Sequence, residues 1–295
     1  MAAEALLSAP RPASRRGRLL AGVFLAAALA WISLGLSPAD AVPGANGRGV
    51  LLLFLEGAVR PALTYEAEVP SGTTPLLLKV LAALRDTVVF AAAAMSLSLV
   101  SGLLLGFLGA TSWWADESGC SASSFGRRVR CTLMPVLYTT VRALIALMRS
   151  VHELLWAVLF LAAFGLNSFS AVVAIAIPYG GTLAKVFSEM IDECPRESAR
   201  SLRAIGARSP QVFLWGLLPR ALPDMSSYTF YRFECAIRSS AILGFFGYPT
   251  LGYYLRLSAE NVHYREVWTY LYALFAVVLL FELWSSQLRR RVVLR

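Results

Sequence analysis

Charge is what this sequence has least of. Only 15% of its 295 residues are Asp, Glu, Lys or Arg, against about a quarter in an ordinary soluble domain. With 57% hydrophobic residues and a mean hydropathy of +0.62, that scarcity excludes a large water-soluble core and points to a bilayer as solvent. Lysine is nearly absent, represented by Lys79 and Lys185, so the net charge of +9 is carried by arginine. The arginines sit at the ends of apolar runs and build no basic, aromatic-interleaved face, which excludes nucleic acid as a partner. Histidine is limited to His152 and His263, in separate regions. Cys120, Cys131, Cys194 and Cys235 form no CxxC pair and have no histidine at metal-ligand spacing, so no metal site is expected. They are expected to be free thiols, three on the cytosolic side and Cys235 within a span. HExxH, GxSxG and GxxxxGK[ST] are all missing. The chain is therefore not read as an enzyme, is expected to hold no cofactor, and lacks the usual loop for ATP hydrolysis. Paired repeats with broken helices are missing too, which argues against a secondary transporter.

What is present is a series of apolar runs separated by arginines, read as an all-α polytopic membrane protein of about six transmembrane helices. A basic tail, 1–18, precedes the run 19–36. Two readings of this end stay open. "SRRGRLL" and the small-residue "ADA" at 39–41 fit a cleaved signal, whereas eighteen apolar residues exceed the usual signal core and suffice for a first span. Residues 37–78 mix Pro, Gly and acidic residues around "VLLLFLEGAV", read as an interfacial helix on the outer side. The run 87–110 is the clearest span, its Ala, Ser and Gly suited to close helix packing in lipid. Arg127, Arg128 and Arg130 place the next loop in the cytosol, and 132–150 reads as an amphipathic helix along the inner surface. Spans 153–166 and 168–190 follow, with Gly180 and Gly181 indicating a close contact or a bend. A cytosolic hairpin, 192–210, leads to a fifth span at 222–245, an outer loop at 246–266, a sixth span at 267–288 and a basic tail at 289–295. Arginine placement puts both termini in the cytosol.

The hairpin is the least expected element. Pro195 is predicted to open its helix, with Asp192 and Glu193 as cap and dipole partners. Ala199, Leu202 and Ile205 would share one face and Arg196, Arg200 and Arg203 another. Gly206 would end the helix in the left-handed conformation, and Ser209-Pro210 would start the next. A plain re-entry loop with arginine stops and a docking surface both fit this pattern. Within the fifth span lie Arg232, Glu234 and Arg238. Ions at membrane depth are costly unless paired or in a wet cavity, so they are functional candidates. Glu234 and Arg238, spaced i,i+4, suit an internal pair, and Arg232 is left over, as an anion pathway would want. Structural pairing and substrate contact both remain open for them. His152 and Glu153, at the head of the third span, join them as pathway candidates, with packing or hydrogen bonding the simpler role for His152.

At these residues the chain begins to resemble a family. Gly206–Pro219 looks like the cytoplasmic loop of bacterial ABC importer permeases, E-A-A-x3-G-x9-I-x-L-P, with Leu218 and Pro219 in place and Ser201 at the first alanine. Arg200 stands where the family has glutamate and Gly216 where it has isoleucine. "RSVHELLWAVLFLAAFG" (149–165) and "YRFECAIRSSAILGFFGYPTLGYYL" (231–255) are similar to stretches of phosphonate importer permeases, with His152 for a proline, Ala236 for an asparagine and Tyr248–Leu251 for A-G-G-I. The resemblance covers roughly 142–290. It implies the ABC type I importer permease fold, in the bacterial inner membrane, moving a phosphonate, phosphite or phosphate delivered by an external binding protein. It implies a second permease chain in a homodimer, and ABC ATPase subunits that hold the ATP and Mg. It assigns ATPase coupling to Glu197, Ala199, Arg200, Ser201, Leu202, Arg203 and Gly206, and an outer gate loop to Gly244, Gly247 and Gly252. A permease for another small solute, or a non-transporting membrane scaffold, are the rival readings, because Arg200 and Tyr248–Leu251 break family motifs.

Overall fold

The computed structural model describes residues 15–35, 37, 44–111, 124–207 and 209–293. The "ADA" segment, Cys120 and the side chains of Arg127, Arg128, Arg130, Cys131, Ser209 and Pro210 lie outside the described residues. All regular structure among the described residues is helical, as expected of a chain whose backbone must satisfy its own hydrogen bonds in lipid.

Within residues 1–55, α1 (Arg15–Ser33) turns apolar side chains outward all round, Leu19, Phe24, Trp31 and Ile32 among them. Such a surface is unfavourable in water and at home among acyl chains. The helix α2 (Ala45–Val59) has 15 residues, about 22 Å, which is short of the ~30 Å hydrocarbon core.

Residues 56–295 pack around two long helices, α3 (Leu76–Gly109) and α6 (Ser168–Glu193). Small residues make their close approach possible. A Cβ on Gly102 would lie 2.7 Å from Leu183 Cβ, and one on Gly106 would lie 3.1 Å from Phe187 Cβ. Ala91, Ala94, Ala171 and Ala174 are fully buried in the same core, and Ser98 Oγ donates across to the Ala176 carbonyl at 3.2 Å. Gly180 and Gly181 are contact points: the first abuts Ser101 of α3, and the second faces Met148 Cβ, 2.6 Å from where its own Cβ would be. Met148 belongs to α4 (Ser124–Ser150), which meets α5 (Glu153–Phe164) at a 91° bend.

Beyond α6 come α7 (Glu197–Ala204), α8 (Ser209–Val212), a π-helical turn (Phe213–Leu217) and α9 (Leu218–Ile242). A 3-10 turn (Leu243–Phe246), α10 (Leu251–Glu260) and α11 (Tyr264–Val293) complete the order. The start of α11 is clasped to residues 60–66. Glu66 and Glu266 each accept the other's backbone N–H, at 2.8 and 3.0 Å. Ser258 donates to the second Glu266 oxygen at 2.9 Å, and Thr269 to the Ala62 carbonyl at 2.6 Å. Glu266 is only 5% exposed, so this filled set of donors is what makes its burial tolerable.

Several expectations change here. Four described helices (α1, α3, α6, α11) are long and apolar enough to cross a membrane, or five if the bent α4–α5 pair counts as one. The predicted third span is α5 alone, and its 12 residues reach about 18 Å, too short to cross without α4. The predicted fifth span is α9, long enough but too polar by composition, since it carries Arg220, Asp224, Arg232, Glu234 and Arg238. The predicted outer loop 246–266 holds the ten-residue helix α10 near its middle. Asp192 and Glu193 remain inside α6, whose helix outlasts the apolar run. Asp192 accepts from Thr111 N–H at 2.9 Å and lies 3.9 Å from Arg142, tying the chain just past α3 and the body of α4 to the end of α6. Pro195 falls in the break between helices, and Arg196 is the N-cap residue of α7.

Candidate functional site

The hairpin is built on close contact at its root. Ala199 of α7 is 3% exposed and lies over the π-helical turn, where a Cβ on Gly216 would stand 3.1 Å from Leu202 Cδ1 and 3.6 Å from Ala199 Cα. Gly216, the departure from the family isoleucine, is thus the residue that lets α7 lie down on this turn. Leu202 is the second inward residue, whereas Ile205, expected on the same face, is 80% exposed at the tip. The helix ends one residue earlier than its periodicity implies, so Ile205 leaves the inward face. Gly206, at φ +85°, provides the left-handed reversal, and Ala207 N–H returns to the Leu202 carbonyl at 3.0 Å. Glu197, Arg200 and Ser201 are exposed, and Arg203 is half-buried. At the root a cavity of about 620 Å³ is lined by Glu193, Cys194, Arg220, Asp224 and Tyr228. Burial and then the nearby Asp224 carboxylate push the Cys194 thiol up from its ordinary value, making it a poor nucleophile.

A second polar cluster joins α5, α6 and α9. Tyr179 Oη and Ser239 Oγ are 2.8 Å apart, and Ser239 Oγ donates to Glu153 Oε1 at 2.8 Å. The other Glu153 oxygen is 3.5 Å from His152 Nε2. His152 caps α5 by accepting the Leu154 N–H at Nδ1, 3.3 Å away. The Arg232 guanidinium lies over the Tyr179 ring, 4.3 Å from its centroid, and its Nε is buried without a hydrogen-bond partner among the described residues. Arg238 pairs with Glu234 at 3.0 Å. Geometry therefore separates the cations: Arg238 is matched by a carboxylate on its own helix, and Arg232 stacks on an aromatic with donor capacity left. Tyr179 and Ser239 were not singled out from sequence. The signal available was a tyrosine between Pro178 and Gly180 in an otherwise apolar run, and a serine beside Arg238.

The third candidate, the turn after α9, is a knot of backbone contacts. A Cβ on Gly244 would collide with the Tyr253 nitrogen, and one on Gly252 with the Ala241 carbonyl oxygen. Gly247 has φ +102°. Thr87 of α3 anchors the turn: its hydroxyl accepts the Leu251 N–H at 3.0 Å, and its carbonyl accepts from Ser240. These glycines cluster at the end of α9 remote from α7.

Residues 119–294, more than half of the chain, match the binding-protein-dependent transport system inner membrane component family. The chain belongs to this family. Among its relatives, the phosphite transport system permease protein PtxC of Stutzerimonas stutzeri is 31% identical over 156 residues, 53% of this chain and 57% of the relative. The phosphate-import permease protein PhnE of Mycolicibacterium smegmatis is 31% identical over 159 residues, 54% of this chain and 30% of the relative. The chain thus spans little more than half the length of the first of these and less of the second. Among solved structures, the inward-facing MetNI methionine ABC transporter has a chain that superposes with a TM-score of 0.60 at 20% identity, covering 75% of this chain and 99% of that one. An amino acid ABC transporter gives 0.58 at 18% identity, with 74% and 99% covered. These likenesses establish the ABC importer permease fold for this inner membrane component. The hairpin, the polar cluster and the glycine turn all fall inside the matched residues.

Proposed function

We propose that the chain is the permease subunit of an ATP-driven importer for a phosphorus oxyanion: phosphite, phosphonate or phosphate. In this reading an external binding protein delivers the anion and a second copy of the chain completes the pathway. ABC ATPase subunits, which hold the ATP and Mg, dock on α7, and both termini lie in the cytosol. The named relatives carry phosphite and phosphate transport in their descriptions, and these supply the cargo class. The observation that carries the reading in this chain is Arg232, a guanidinium stacked on Tyr179 whose buried Nε has no partner among the described residues. Guanidinium matches the oxygens of such anions in a two-pronged geometry. Glu153, Ser239 and Tyr179 hold the wall against which it rests, and His152 positions the head of α5. Gly244, Gly247 and Gly252 shape the outer turn that closes over the pathway.

The test is uptake of phosphite, phosphonate or phosphate into proteoliposomes holding the complete transporter. Arg232→Ala is expected to lower uptake about tenfold or more, the worth of a charge-assisted hydrogen bond. Leu202→Asp and Gly206→Pro are expected to abolish ATP-driven uptake while the protein still inserts. Unchanged uptake in both Arg232→Ala and Arg238→Ala would remove the anion pathway from this cluster. Full uptake in Leu202→Asp would remove coupling from α7.

A further inference from the structure

One flank of α7 carries charge of the wrong sign for its position. Arg196 is the N-cap residue, without a side-chain capping bond, and Arg200 lies one turn further on the same side. Both are exposed. The start of a helix presents free N–H groups and positive dipole potential, so cations there are disfavoured and anions favoured. Glu197 supplies one acidic group in the first turn, yet leaves the two arginines unmatched. Glu197, one residue from Arg196 and three from Arg200, pairs with neither, and among the described residues neither guanidinium has an ion pair or side-chain hydrogen bond. Arginine also occupies the position where the importer-permease pattern carries glutamate.

The flank is held in place. Ala199 and Leu202 are anchored on Gly216, so Arg196 and Arg200 are displayed from a fixed helix and little ordering is lost on docking. The same anchoring leaves α7 with no apolar stripe to lay into a membrane surface, because its apolar residues face the π-helical turn. Ile205, 80% exposed at the far end of the helix, adds one apolar knob at the hairpin tip.

We infer that the α7 flank of Arg196 and Arg200 docks against an acidic wall on the ATPase subunit, with Ile205 seated in an apolar dimple beside it. The inference rests on the permease reading above and names the chemistry of the partner surface. Such an interface assembles through charge complementarity, so its affinity falls with salt. The chain, reconstituted in nanodiscs, is titrated with the ATPase that co-purifies with it, at low and high sodium chloride. Arg196→Glu with Arg200→Glu is expected to weaken assembly about tenfold or more at low salt, and Arg196→Lys with Arg200→Lys to keep most of it. Size-exclusion profiles in detergent verify that the charge-reversed chain is folded. Cross-linking from position 200 identifies the facing ATPase residue, and changing that acidic residue to Arg is expected to restore assembly to Arg200→Glu.

Equal binding of the wild-type and doubly reversed chains, or binding insensitive to salt, overturns the inference and leaves the permease reading standing. A wild-type chain that retains no ATPase sinks the permease reading itself. If reversal spares the ATPase but abolishes attachment of α7 to phosphatidylglycerol vesicles, the flank is a lipid contact and the inference fails.

Discussion

Gly244 and Gly252 face backbone across the turn that follows α9, and a methyl group on either meets main-chain atoms that cannot swing aside. Gly247 differs: its nearest neighbour would be Leu166 at 3.5 Å, an ordinary contact, and only its left-handed φ resists a side chain. Gly244→Ala and Gly252→Ala are therefore expected to cost about 3 kcal/mol or more, and Gly247→Ala about 1–2 kcal/mol. Thermal unfolding in detergent should rank them in that order, and an unaffected Gly244→Ala would mean the turn is built otherwise. Single residues also mark how far the sequence could be read. The Glu234–Arg238 pair follows from i,i+4 spacing on one helix. Tyr179 and Ser239 could not be paired that way, because they are 60 positions apart and meet only through the packing of α6 on α9.

Among the elements, α7 is the one whose sequence and structure diverge most instructively. The inward Ala199 and Leu202, the exposed Arg196 and Arg200 and the reversal at Gly206 were legible from helical period and from glycine alone, whereas Ile205, expected inward, is exposed. Its first residue was not, because Asp192 and Glu193 look like capping residues until α6 is seen to run through them. Nor was the role of Gly216, whose absent side chain matters only once Ala199 lies above it. Restoring the family residue by Gly216→Ile should lift α7 from its seat. ATP-driven uptake is expected to fall at least tenfold, roughly the effect of misplacing a docking helix, while Gly216→Ala has a smaller effect. Retained coupling in Gly216→Ile would show that α7 does not depend on this seat.

For the molecule as a whole, the clasp between residues 60–66 and the start of α11 joins segments some 200 positions apart. Removing the Glu266 carboxylate orphans the buried Ser258 hydroxyl, at about 1–3 kcal/mol, and frees the part-buried Glu66 N–H at a smaller cost. Glu266→Ala should therefore lower the unfolding temperature in detergent more than Glu56→Ala. Equal temperatures for the two variants would show that the clasp carries no stability. Composition was enough to read the solvent and the helical class, and the family segments were read from their resemblance to known motifs. Composition could not supply the number of crossings, because a 91° break within α4–α5 and the polar length of α9 defeat any count based on apolar runs. Charge is tolerated in α9 through partners on other helices and on its own, which no window along the chain can see.

The π-helical turn Phe213–Leu217 has a mechanical meaning. Its closing bond runs from Leu218 N–H to the Phe213 carbonyl, five residues back, so one extra residue is wound into the turn and the faces before and after it are out of phase by about 100°. Gly216, the seat of α7, lies within it. The seat of α7 is thus the most loosely wound part of the rod that carries Arg232. A wider turn is also the one place along this rod where a residue could be wound in or out without breaking the helix on either side.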